Sequence, residues 1–203
     1  MAITIDEIKR LKDLTGVGLT QAKKALEEAD GDFDKAVEEM RVKGISKADK
    51  KSEREAKAGV IEAYVHGERI GVMVEVNCET DFVARTDDFK NFAHDVALHV
   101  AASAPRYISQ DDVTEADLKK EEELIRAELK EEGKPDDMID KITTGKLNKF
   151  YEEVCLLNQP FVKNPDQTVG DYLKETIAKL GENMVIRQMS RIELGGQTDG
   201  SGN

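Results

Sequence analysis

The stretch HGERIGVMVEVNCETDFVAR, residues 66–85, decides the fold. Gly67 suits a tight turn, and the runs GVIEAYV before HGE and RIGVMVEVN after it have the alternation of half-buried strands, so the sequence predicts a β-hairpin. Val72, Val74 and Val76 share one face of the second strand. The alternation ends at Glu79, Thr80 and Asp81, which stop strands, and Phe82, Val83 and Ala84 follow at once. A Phe directly behind an acidic break admits two readings. It can be a hydrophobic staple tucked beneath the next helix, or a wedge that projects from a strand-to-helix turn toward a partner's pocket. Composition does not choose between them.

Downstream, Phe89, Phe92, Ala93, Val96 and Val100 lie at helical spacing, with Thr86 or Asp87 placed to cap. After Pro105 the chain becomes strongly charged. Thr114 and Asp117 open a helix with a thin stripe of Leu118, Ile125 and Leu129, and Pro135 opens further helix through Leu147, Phe150 and Val154. Two antiparallel helices projecting as a hairpin, at about 114–157, account for stripes so thin. A helix capped at Thr168 and stopped at Gly181 precedes NMVIRQMSRIEL, which reads as a third strand. The core expected over 58–195 is therefore α+β, an antiparallel sheet of hairpin plus returning strand with helices on one side.

Upstream, residues 1–43 read as three short helices. Thr4 and Glu7 make a capping box, the TGVG at 15–18 breaks the first helix, and Asp32 can cap the third. So few large apolar groups make a marginal mini-domain, suited to docking rather than catalysis. Residues 44–57 form a charged linker, helical or flexible, and the glycine-rich residues 196–203 a disordered tail.

The chain has 203 residues, of which 42 are acidic and 30 basic, for a formal net charge of −12. That deficit argues against nucleic acid as the main ligand, because phosphate binding needs basic surface. No segment approaches the about eighteen apolar residues of a membrane span, and the N-terminus lacks the layout of a signal peptide. The two cysteines, Cys78 and Cys155, lack paired spacing and read as reduced core thiols of a cytoplasmic protein.

Catalytic templates fail: there is no GxxxxGK[ST], HExxH, GxSxG or CxxC. The sharpest enzyme hypothesis is a hydrolase in which His94 or His99 activates Cys78, a pairing with the right residue types but no supporting spacing. His94 and His99, five apart on a helix, diverge too far for a metal site, and no cofactor or metal is expected. A ubiquitin-binding adaptor built on the N-terminal helices is the other alternative, but it leaves the core unexplained.

VNCETDFVAR closely resembles the signature of bacterial elongation factor Ts, the guanine nucleotide exchange factor family acting on elongation factor Tu. LKDLTGVGLTQAKKALEEADGDFDKAVEEMR resembles that family's ubiquitin-associated-like N-terminal module. HVAASAPRYISQDDV, GKLNKFYEEVCLLNQPFVKNPDQTVGDYL and GENMVIRQMSRIELG resemble the rest of its core, in order. The resemblance covers about residues 3–195. It implies that Thr80, Asp81, Phe82 and Val83 act at the Mg²⁺ site of elongation factor Tu, Phe82 entering a pocket beside the switch region so that GDP is released. It implies partner contacts at Val17, Leu19 and Thr20 in the N-terminal module and at His66 in the hairpin turn. Longer members carry two copies of the core, whereas this chain resembles the short, single-core form, in which two chains pair through their sheets.

Overall fold

The computed structural model describes residues 3–15 and 17–196, apart from the side chains of residues 45–47. Gly16 of the expected break and residues 197–203 of the expected tail lie outside the described residues.

Three helices open the chain: α1 (Ile5–Thr15), α2 (Leu19–Glu28) and α3 (Phe33–Asp49). The Thr4–Glu7 box forms, with Thr4 N–H donating to the Glu7 carboxylate at 2.8 Å and Glu7 N–H to Thr4 Oγ1 at 3.2 Å. Asp32 caps α3 by accepting from Lys35 N–H. Leu11 and Leu26 are buried among Ala22, Ala25, Ala29 and Ala36, small side chains that let three short helices close on one another. Helix α3 does not stop with this cluster. It continues through Gly44 to Asp49, where Ala48 is buried in the main core.

The hairpin forms as expected, from β1 (Ala58–His66) and β2 (Ile70–Cys78), around a turn in which Gly67 and Glu68 are both left-handed. The short helix α4 (Asp81–Ala84) and the long α5 (Asp87–Ser103) follow. Thr86 caps α5 by accepting from Phe89 N–H. Next come α6 (Glu115–Glu131) and α7 (Asp136–Val154), which pack on each other around Ile125, Leu129 and Ile139, a cluster separate from the main core. A small ladder of β3 (Pro160–Phe161) and β4 (Asn164–Thr168) leads into α8 (Val169–Leu180), which carries a Thr168–Asp171 capping box. The last strand, β5 (Met184–Glu193), returns antiparallel to β2 and completes a sheet of order β1-β2-β5.

The architecture is thus α+β. One face of the sheet presents Val72, Val74, Val76, Met184 and Ile186 to Phe89, Phe92, Val96 and Val100 of α5. Alternation along the strands leaves the other face to solvent, with Ile61, Val65, Met73 and Ile192 exposed. Helix α3 lies on α8 at Gly44, where a Cβ would sit 3.1 Å from that of Ala178. The same two helices are bridged by Arg41–Glu175 at 3.5 Å and Lys174–Asp49 at 2.9 Å. Burial pushes the Glu175 carboxyl above the usual carboxylate range, and Arg41 opposes that rise.

Candidate functional site

Strand β2 ends at Cys78, whose thiol donates to the Thr80 carbonyl at 3.2 Å. Thr80 then caps the single turn of α4: its hydroxyl accepts from Val83 N–H, and its carbonyl accepts from Ala84 N–H at 3.2 Å. At the far end both the N–H and the hydroxyl of Thr86 donate to the Val83 carbonyl. The turn is fastened at both ends. Ala84 is buried and Val83 packs against the main core, so the inward positions of this turn are taken. Asp81 and Phe82 must face outward, and Phe82 is 86% exposed. The staple reading required a buried ring; this ring is in solvent.

Two acidic residues reach the same turn. Glu182, directly after α8, accepts from Thr80 N–H at 3.0 Å and from the Thr80 hydroxyl at 2.7 Å. Glu79 accepts from Asn183 N–H at 2.7 Å, and the Asn183 side chain donates to the carbonyls of Arg54 at 2.6 Å and Ser52 at 3.3 Å. No local sequence signal marked Glu182 or Asn183. Glu182 follows a helix stop, and Asn183 merely opens the stretch read as the third strand.

The other expected site residues lie elsewhere. Val17 is half-buried against the N-terminal cluster, while Leu19 and Thr20, in the first turn of α2, are exposed, Leu19 by 51%. His66, exposed in the hairpin turn, has Nδ1 2.9 Å from the Tyr64 hydroxyl. From there to the Thr80 turn the chain runs the length of β2, roughly 27 Å at the usual strand rise. The structure therefore gathers Thr80–Val83 into one presented turn and keeps His66 apart from it.

The hydrolase reading loses its chemistry. Cys78 is buried, and its thiol is pushed up to about 11, chiefly by burial. A nucleophilic cysteine needs the opposite shift. His94 Nδ1 lies 2.9 Å from Glu62, and buried His99 is bonded to Gln159 at 2.8 Å. Among the described residues, no three His, Cys, Asp or Glu side chains converge as metal ligands, and no helix is long and apolar enough to cross a membrane.

The chain thus combines a three-helix module with an α+β core that holds an exposed apolar side chain out on a capped turn. The family model described as Elongation factor TS matches residues 2–176, well past the N-terminal helices on which an adaptor reading depends. Elongation factor Ts of Carboxydothermus hydrogenoformans is 54% identical over 194 residues, covering 95% of this chain and 89% of that protein. That of Alkaliphilus oremlandii is 51% identical over 195 residues, covering 96% and 90%. That of Thermodesulfovibrio yellowstonii is 47% identical over 199 residues, covering 98% and 100%. The chain belongs to the elongation factor Ts family, and so to the translation elongation factors of protein biosynthesis.

Proposed function

We propose that the chain binds elongation factor Tu·GDP and promotes release of GDP by disturbing the partner's Mg²⁺ site, so that GTP can load. The observation that carries this reading is Phe82, a large apolar side chain 86% exposed on a turn that is otherwise fastened down. The backbone that carries the ring is ordered before any partner arrives, so less backbone ordering entropy opposes insertion into a pocket. Thr80, Asp81, Phe82 and Val83 form the wedge. Mg²⁺ screens the phosphate charge of bound GDP, and weakening its ligation raises the free energy of the nucleotide complex.

Each tenfold acceleration of release requires about 1.4 kcal/mol off the barrier. By reciprocity, nucleotide must weaken binding of the factor as strongly as the factor weakens binding of nucleotide. A broad interface offsets that cost. Residues 1–43 act as the docking module through Val17, Leu19 and Thr20, and residues 44–57 are the charged linker, whose first part extends α3 onto the core through Ala48, to the core at 58–195 with its helical hairpin at about 114–157. His66 is a further contact to the partner. The exposed sheet face carrying Ile61, Val65, Met73 and Ile192 pairs with that of a second copy. The factor works in the cytoplasm, makes and breaks no covalent bond, needs no cofactor of its own and contacts no nucleic acid directly.

The test is direct. Elongation factor Tu loaded with fluorescent GDP is mixed with the protein, and release should accelerate with concentration toward a plateau. Release that stays at the spontaneous rate at every concentration overturns the reading.

A further inference from the structure

In a capping box, the N-cap hydroxyl accepts from the N3 backbone while the N3 acid accepts from the N-cap N–H. Thr4–Glu7 and Thr168–Asp171 are complete boxes of this kind. The turn at Thr80 has only half of one. Its hydroxyl accepts from Val83 N–H, but N3 is Val83 itself, an apolar side chain committed to the core. The missing acid arrives from 102 residues away: both carboxylate oxygens of Glu182 go to Thr80, one to its N–H and one to its hydroxyl.

We propose that Glu182 is a positioning residue for nucleotide exchange, completing the Thr80 cap from a distant part of the same chain and so holding the turn that carries Phe82 in the attitude needed for insertion. The proposal rests on the exchange reading above. Three features give Glu182 the firm footing this needs. Gly181 ends α8 in the left-handed region at φ 82°, which turns the chain sharply toward the sheet. Asn183, buried, is tied to Glu79 and to the carbonyls of Ser52 and Arg54. Met184 then enters the ladder opposite Cys78. The division of labour follows from these bonds. Asn183 fastens the joint to the core and linker, whereas among the described residues the hydrogen bonds of the Glu182 carboxylate end on Thr80. Removing that carboxylate loosens the turn without opening the core.

The test is stopped-flow release of fluorescent GDP from elongation factor Tu over a range of factor concentrations. Glu182→Ala should lower the plateau rate about tenfold, equivalent to about 1.4 kcal/mol, and leave the half-saturating concentration within about twofold, because no docking contact is lost. Glu182→Gln, which can still accept from Thr80 N–H, should recover most of the rate. Amide exchange at residues 80–84 should quicken in Glu182→Ala while the melting temperature holds. Glu182→Ala combined with Phe82→Ala should be no slower than Phe82→Ala alone. If the alanine variant melts early, Glu182→Asp, one methylene short of Thr80, takes its place and should show the same split. A slow Phe82→Ala beside Glu182 variants with a wild-type plateau overturns the positioning role and leaves the exchange reading standing. A wild-type plateau for Phe82→Ala itself overturns the wedge, and the positioning role falls with it.

Discussion

Phe82 and Phe89 stand seven residues apart at the two extremes of exposure, 86% for the first and 0% for the second. Phe82 sits in the short helix α4 and Phe89 in the first turn of α5, and the joint at Arg85 and Thr86 turns the chain from one environment to the other. Truncating each ring should therefore act on a different property. Phe89→Ala opens a cavity between α5 and the sheet and should cost about 3–5 kcal/mol of stability. Phe82→Ala removes a ring that packs on little, and should stay within about 0.5 kcal/mol of the parent. Its cost should appear in exchange, as a plateau release rate lower by more than about tenfold, the scale of a partner hot spot. Thermal melts paired with stopped-flow GDP release check both variants.

Leu19→Ala tests whether docking and exchange are separable. It is half-exposed in the first turn of α2, with Gly18 as a cap that makes no side-chain hydrogen bond. Leu19→Ala should raise the half-saturating concentration about fivefold or more, as for a moderate interface contact, and leave the plateau rate unchanged. A drop in plateau rate with unaltered half-saturation would assign Leu19 to the exchange step instead.

Much of this arrangement was legible in the sequence because its cause is local. Alternation in Val72, Val74 and Val76, the turn at Gly67, and the cap and stop at Thr168 and Gly181 are each set by neighbours a few residues away. Helix α3 running past Gly44 is left open by the sequence, because a highly charged run with little apolar content can be helical or flexible. What carries the helix onward is the close approach to Ala178, far along the chain. The attitude of Phe82 was undecided for a related reason. It follows from Ala84 and Val83 taking the inward positions, and the apolar triplet alone does not say which members do so. Glu182 was hidden altogether. A side chain that caps a turn 102 residues away leaves no periodicity to read.

The open sheet face makes a prediction about assembly. Ala63 lies opposite Met73, and Gly71 opposite both Val65 and Ile192, so the exposed apolar residues form one continuous surface across all three strands. If two copies pair through it, sedimentation equilibrium at micromolar concentration should give about twice the chain mass. Val65→Glu should shift the protein to the monomer, since an unpaired charge in a dry interface is strongly disfavoured. The variant's own fold should hold, because Val65 is exposed in the single chain. A monomeric parent with full exchange activity would rule the pairing out.

His99 sets an expectation for pH. It is fully buried in α5; Nδ1 accepts from Val162 N–H at 3.2 Å, which leaves Nε2–H to donate to Gln159 Oε1 at 2.8 Å. Gln159 is oriented in turn, its Nε2 donating to the Glu153 carbonyl at 2.7 Å. This network accepts only the neutral ring, because a second proton would sit on Nδ1 facing the Val162 N–H. Burial accordingly pushes the His99 imidazolium below the ordinary histidine range, the Gln159 bond opposing that shift. The folded state thus resists a proton that the unfolded chain takes up near its usual pKa of about 6.5. Between those two values the unfolded state holds more protons, so stability rises with pH. The contribution is fully present above about pH 6.5 and is lost as pH falls through the window below it, with a slope of at most about 1.4 kcal/mol per pH unit for one proton. Melting temperature followed from pH 7.5 to 5.5 should therefore decline on the acid side. In His99→Gln the melting temperature should be lower throughout and the acid-side decline should flatten, since the titrating group is gone. An equal acid-side decline in parent and variant would assign the loss to other groups.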